Sequence, residues 1–198
     1  AARAAGIAFH DIPMCREITP WQDLRALGRL YRFLRQGHFD IVHTHSSKAG
    51  FLGRLAARMA GVPVIIHTPH VFPFLMRVGR TRCAFYAALE RLSARYSTRI
   101  VCVWQGEKAA AEQWRIAPAE ILTVIENGVD IPAHSHGASD RARTRTRYGL
   151  KEDELVVGMI GRFMTQKGHR YLIEAAQSVC ERLSGVRFLL VGDGEFKD

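Results

Sequence analysis

The chain holds 198 residues, 47% hydrophobic and 24% charged, with 28 basic against 19 acidic side chains and a formal net charge of +9. This is globular composition, which excludes a disordered, collagen-like or low-complexity chain, and the length suits one large domain or one domain with part of a second. No apolar run approaches the roughly 18 uncharged residues of a spanning helix, since the longest candidate, residues 61–74, carries three Pro and two His, and no charged-then-apolar leader opens the chain.

In chain order, Thr19-Pro20-Trp21-Gln22 reads as a helix start. Thr caps, Pro takes the first turn and Gln stands at the capping-box position. Leu24, Leu27, Leu30, Tyr31 and Leu34 then recur at helical spacing, and Gly37 takes the C-terminal position. Residues 39–43 predict a short strand, Lys48 to Ala60 a helix closed by Gly61, and residues 62–68 a strand rich in Val and Ile, as buried parallel strands are. Residues 80–96 predict a helix with Cys83, Tyr86, Ala87, Leu89 and Leu92 facing inward. A strand at 99–103, a helix at 106–115 and a strand at 121–125 follow, then a turn at Asn127-Gly128. From Asp130 to about Asp140 there is Pro, Gly, Ser and His without periodicity, which predicts a linker containing His134 and His136. The run Arg141, Arg143, Arg145, Arg147 predicts a short exposed helix, and a strand at 155–160, a helix at 168–183 and a strand at 186–191 complete the chain.

Strands alternating with helices predict an α/β fold with parallel sheets. The boundaries read as a first domain over 1–133, a linker and short helix over 134–150, and a second domain over 151–198. The last holds too few elements to cover its own sheet and is expected to be the beginning of a truncated domain.

The positive balance favours anionic partners, but no aromatic-rich basic stripe or nucleic-acid motif accompanies it. Cys15, Cys83, Cys102 and Cys180 show no close pairing and sit among apolar neighbours. They predict small buried hydrophobes in a reduced, cytoplasmic protein.

In open α/β sheets ligands bind beyond the carboxyl ends of the strands, which singles out four loops. In His43-Thr44-His45-Ser46-Ser47-Lys48-Ala49-Gly50, exposed amides with Lys48 suit a phosphate. Capping by Ser46 or Ser47 with a buried His is the plainer reading of the same residues. Zinc through His43 and His45 lacks a third ligand. In His67-Thr68-Pro69-His70-Val71-Phe72-Pro73-Phe74, His70 either faces the cleft or packs on Phe72 and Phe74. In residues 161–168, Gly161 permits close approach while Arg162 and Lys167 bracket a loop between a strand end and a helix start, as a diphosphate leaving group requires. Gly192-Asp193-Gly194-Glu195 reads as a tight turn.

Taken together, the segments 40–50, 53–57, 61–68 with His70 and 72–74, 125–130, 161–163, 166–168 and 191–194 resemble the retaining glycosyltransferases of family four, which have GT-B architecture. The resemblance implies two Rossmann-like parallel-sheet domains facing each other across the active site, the first for the acceptor and the second for a nucleotide-sugar donor. It implies Arg162 and Lys167 on the donor diphosphate beside Gly161, His70 against the transferred sugar, and His45, Ser46 and Lys48 on the acceptor side of the cleft. It further implies no cofactor and no essential metal, and members that extend lipid-linked sugars for surface polysaccharide, at the inner face of an anionic membrane. The family's glycine-rich first loop is expected before Ala1 and its paired glutamates beyond Asp198, so residues 1–198 alone are expected to be inactive. Two other readings stand beside this one: a nucleotide-sugar epimerase of the same architecture, and a non-enzymatic basic anion-binding protein.

Overall fold

The computed structural model describes residues 6–15, 17–76, 78–131 and 138–194. The linker residues 132–137, with His134 and His136, and Glu195 of the fourth loop lie outside the described residues. The chain divides into two compact units, Ala1–Gly128 and Val129–Asp198.

The first unit runs α1 (Pro20–Gly37), β1 (Ile41–His45), α2 (Ser47–Ala60), β2 (Val64–Thr68), α3 (Arg80–Ala94), β3 (Arg99–Cys102), α4 (Gln105–Gln113) and β4 (Leu122–Val124). Its four strands are all parallel, in the order β1-β2-β3-β4. Helical crossovers join them, as parallel neighbours require. The inward face of α1 packs on α2 through Leu34 and the partly buried Leu27, Leu30 and Tyr31, against Ala56, Ala57, Ala60, Val62 and Ile65. A second cluster joins Phe72, Phe74, Ala87, Ile100, Cys102, Ala111 and Leu122. The small residues of α2 let it sit close to the sheet. A Cβ on Gly50 would meet the His67 ring at 2.3 Å, and one on Gly53 would meet the Thr44 methyl at 2.8 Å.

The second unit holds α5 (Ala138–Arg147), β5 (Leu155–Ile160), α6 (His169–Arg182) and β6 (Val186–Val191), with β5 and β6 parallel from Leu155↔Val186 to Ile160↔Val191. No residue of α6 is fully buried, because two strands and one helix enclose little volume.

Several local expectations change. The Thr19 side chain makes no cap bond; instead Asp23 reaches back to the Thr19 N–H at 3.0 Å, while Gln22 accepts from Cys15 Sγ. The left-handed residue ending α1 is His38, not Gly37. Gly37 leaves room for the Phe39 ring, which lies 2.2 Å from where a Cβ would stand. Phe39 therefore turns back towards α1, its ring 5.3 Å from that of Phe33, and the first strand starts two residues later than the composition suggests. On α3, Leu92 is exposed and Glu90 is buried instead. Among the cysteines only Cys102 is buried; Cys15 and Cys83 are half-buried and Cys180 is exposed. The arginine run is not wholly exposed either: Arg145 is buried and donates to the carbonyls of Lys151 and Glu154, pinning α5 to the turn before β5.

Candidate active site

The carboxyl ends of β1 and β2 carry four histidines. His43 and His45 alternate with Thr44 along β1 and so stand on the face opposite to it. Their rings lie 4.2 Å apart, centre to centre. His43 Nε2 meets Thr68 Oγ1 at 2.8 Å. His45 Nδ1 meets His70 Nε2 at 3.0 Å, the two rings stacked. In that bond one ring donates and the other accepts, so it survives at most one added proton. Burial, then the neighbouring histidines, hold His43 and His45 below the usual imidazole range. His70 is exposed at the strand end, while Phe72 and Phe74 stack on each other inside the core. Ser46 (φ 59°) and His70 (φ 60°) both adopt left-handed backbone, an unfavourable conformation for these residues that the surrounding contacts must hold.

The buried histidine is His67, with Nδ1 on Thr44 Oγ1 at 2.9 Å. Desolvation and the nearby Arg54 guanidinium push it down to about 2. Ser46 makes no side-chain cap to α2. Lys48 does not present a free cation: Nζ pairs with Asp23 at 2.5 Å and donates to the carbonyls of Cys15 and Glu17. It ties the start of α2 to the start of α1 and thereby fixes the His45–Ser46 loop.

A carboxylate escaped the sequence reading. Glu107 is fully buried beneath this end of the sheet; Oε2 accepts from Val103 N–H at 2.8 Å, and Oε1 has no partner among the described residues. Burial pushes its carboxyl up, against the Val103 bond and His70. The available signal was positional, because a Glu at the third residue of a helix bonds backward to the entering chain.

In the second unit, β5 and β6 continue as a ladder past their ends. Gly161 N–H bonds Val191 O, and Phe163 N–H bonds Asp193 O, both at 2.9 Å. Gly192, Asp193 and Gly194 therefore extend the sheet alongside residues 161–163. A Cβ on Gly192 would stand 1.9 Å from Gly161 O, and one on Gly194 2.4 Å from Phe163 O. The two segments border a groove of about 550 Å³ lined by Gly161, Arg162, Gly192, Asp193 and Gly194. Thr165–Lys167 form one 3₁₀ turn, and Gly168 (φ 74°) admits the chain to α6. Both Arg162 and Lys167 are exposed, with no side-chain hydrogen bond or ion pair among the described residues; the Lys167 stem lies over Gly161. His169 opens α6, edge-on to Phe163 at 4.9 Å, its two ring nitrogens enclosed without a partner among the described residues.

These parallel sheets with their strand-end loops define a GT-B chain. Residues 1–128 match the glycosyl transferase 4-like domain and residues 140–198 match glycosyl transferases group 1, and the chain belongs to that glycosyltransferase family. Over 190 residues it is 37% identical to UDP-Gal:alpha-D-GlcNAc-diphosphoundecaprenol alpha-1,3-galactosyltransferase of Escherichia coli, covering 95% of this chain and 49% of that protein. HepE of Anabaena, solved in complex with UDP and glucose, matches with a TM-score of 0.73 at 22% identity, over 91% of this chain and 47% of that one. UDP-GlcNAc 2-epimerase from Neisseria meningitidis bound to UDP-GlcNAc matches with a TM-score of 0.60 at 13% identity, over 93% and 50%. The two structural likenesses concern the fold. The chain spans about half the length of the curated relatives it matches.

Proposed function

We propose that the full-length protein transfers a sugar, with retention, from a nucleotide-diphosphate donor to a hydroxyl of a lipid-linked saccharide, without a metal ion. The observation that carries this reading is the 37% identity, running through both units, to an enzyme whose name states a UDP-galactose donor, a diphosphoundecaprenol-linked acceptor and an α-1,3 product. In the step, the acceptor oxygen bonds to the anomeric carbon on the face from which the diphosphate departs. The bond from that carbon to the diphosphate oxygen breaks, and the hydroxyl proton passes to the leaving diphosphate. Arg162 and Lys167 take up the growing charge, as paired cations beside helix amides do. His70, held by His45, positions the transferred sugar, and the loop with His45, Ser46 and Lys48 frames the acceptor. Lys48 serves that loop through Asp23 and not as a free charge. The protein works at the cytoplasmic face of the membrane as a peripheral enzyme; among the described residues no helix is long and apolar enough to cross a bilayer.

The test incubates the full-length protein with a panel of nucleotide sugars, with and without a GlcNAc-diphosphate lipid. Donor consumption only with acceptor, giving an α-linked product by NMR, is expected. Consumption without acceptor, yielding an epimerised nucleotide sugar, would overturn the reading in favour of an epimerase. Residues 1–198 alone are expected to turn over no donor; robust transfer by them would refute that part.

A further inference from the structure

Trp104 stands at the carboxyl edge of the first sheet, on the strand next to the one that ends at His70. The register His45↔Thr68 and His67↔Ile100 aligns the ends of β1, β2 and β3, and Ile125 N–H bonds Cys102 O at 3.0 Å. Strand by strand, that edge therefore presents His45, His70, Trp104 and Ile125. The indole is 55% exposed.

Trp104 is also the N-cap of α4, a position where Ser, Thr, Asp or Asn satisfies the free amides of the first turn. Its side chain makes no cap bond. Glu107 caps instead: Oε2 accepts from Val103 N–H at 2.8 Å, while Trp104 O accepts from Glu107 N–H at 3.1 Å. The start of α4 is thus held without the side chain of residue 104. The indole is nevertheless set in place, because its six-membered ring passes over Gly106, where a Cβ would stand 1.9 Å away. A glycine in the first turn costs helix propensity, and here it leaves room for the ring. No other aromatic ring meets the indole among the described residues. A cap position filled by a large apolar ring, backed by a helix glycine and open to solvent, breaks the local rules of helix stability in the way functional positions do.

An indole fixed beside polar side chains suits a ligand with a flat apolar face and a polar rim. A pyranose ring has that form, with C–H bonds on its face and hydroxyls around its edge, within reach of strand-end imidazoles. The donor diphosphate is assigned above to Arg162 and Lys167 of the second unit, which leaves the acceptor's sugar for this edge. We propose that Trp104 is the platform on which the acceptor saccharide lays one face of its pyranose ring, beside His70. This rests on the lipid-linked-acceptor reading and names the residue that selects for its saccharide.

The test uses the full-length protein with a short-chain, water-soluble GlcNAc-diphosphate acceptor. Trp104→Ala is expected to raise the acceptor KM at least about tenfold, with kcat and donor affinity within about threefold of wild type, and Trp104→Phe to recover most of the loss. Trp104→Ser should show the same KM defect with a melting temperature equal to or above that of wild type, because Ser is a good cap. Without donor, the acceptor should quench Trp emission in wild type and in Trp21→Phe, and not in Trp104→Phe. An alkyl diphosphate lacking the sugar should inhibit wild type and Trp104→Ala equally. An unchanged acceptor KM in Trp104→Ala, a rise confined to the donor KM, unequal inhibition by the sugarless diphosphate, or a KM rise that comes only with a lowered melting temperature in Trp104→Ser would overturn the proposal. Quenching at Trp104 by the saccharide, without transfer to any lipid-linked saccharide, would instead defeat the acceptor reading and leave the platform standing.

Discussion

At the scale of single residues, charge and its desolvation decide most of what this chain does. Arg162 offers a planar fork and Lys167 a compact charge on one short loop beside Gly161. In the proposed reaction charge grows on the diphosphate as the glycosidic bond breaks, so both side chains would act chiefly on the transition state. In the full-length enzyme Arg162→Ala or Lys167→Ala should lower kcat by about 10²–10³ with a smaller effect on donor affinity, and Arg162→Lys should recover only part of it. Steady-state kinetics with donor binding by calorimetry check this; near-wild-type turnover in both alanine variants would remove the diphosphate assignment. His67 governs a separate property. Its unfolded value of 6.5 falls to about 2 on folding, driven by burial and then by Arg54. Between those values the unfolded chain binds a proton that the native chain refuses, so stability declines as pH drops below about 6.5, by up to about 1.4 kcal/mol per pH unit. His43 and His45 add the same sign. Urea midpoints at pH 7.5, 6 and 5 should fall for wild type and fall less steeply for His67→Gln, which keeps a hydrogen-bonding group but does not titrate.

At the scale of elements, two contacts hold the site's supports in place. Arg54 on α2 and Glu90 on α3 form a buried pair at 2.8 Å, and Arg54 Nε also donates to Gly50 O at 3.0 Å. Burial disfavours the guanidinium charge, and Glu90 offsets this. Removing one partner strands the other charge, so Glu90→Ala should cost about 3–5 kcal/mol. The double change Arg54→Met/Glu90→Leu should cost less than the single one, and urea denaturation compares the two. The other contact is the backbone ladder between residues 161–163 and 191–194. Gly192→Ala would place a methyl 1.9 Å from Gly161 O. The two loops must then part, and donor affinity measured by calorimetry should fall with little change in the thermal stability of the first unit. Unchanged affinity would mean that the groove between these loops does not hold the donor.

At the scale of the whole molecule, the cations behind the +9 charge fall into groups with different surroundings. Some cations are structural, such as Arg54, Arg145 and Lys48, each committed to carboxylates or carbonyls. Arg162 and Lys167 stand at the carboxyl end of the second sheet, and Arg25, Arg29, Arg32 and Arg35 are exposed on α1. If the loop cations neutralise the departing diphosphate, no divalent ion is needed for that task. Turnover by the full-length enzyme should therefore be the same in excess EDTA as in added magnesium. A loss of activity on chelation, restored by magnesium, would show that Arg162 and Lys167 do not suffice.

The order of elements, the parallel α/β class and the strand-end position of His70, Arg162 and Lys167 were legible in the sequence, because apolar periodicity and glycine placement are local signals. The family resemblance was legible for the same reason, since its motifs are short runs at strand ends. What the tertiary structure decided involves partners far apart in the chain. Lys48 looks like a free phosphate ligand until Asp23, 25 positions earlier, is seen to take it. Gly192 and Gly194 read as a turn until residues 161–163 are placed beside them. His67 and His70 are separated by two residues, yet one is buried without solvent and the other exposed and bonded to His45. Composition cannot separate such cases, because burial and ion pairing are set by which segments the fold brings together, and in a parallel sheet those segments are always distant in sequence.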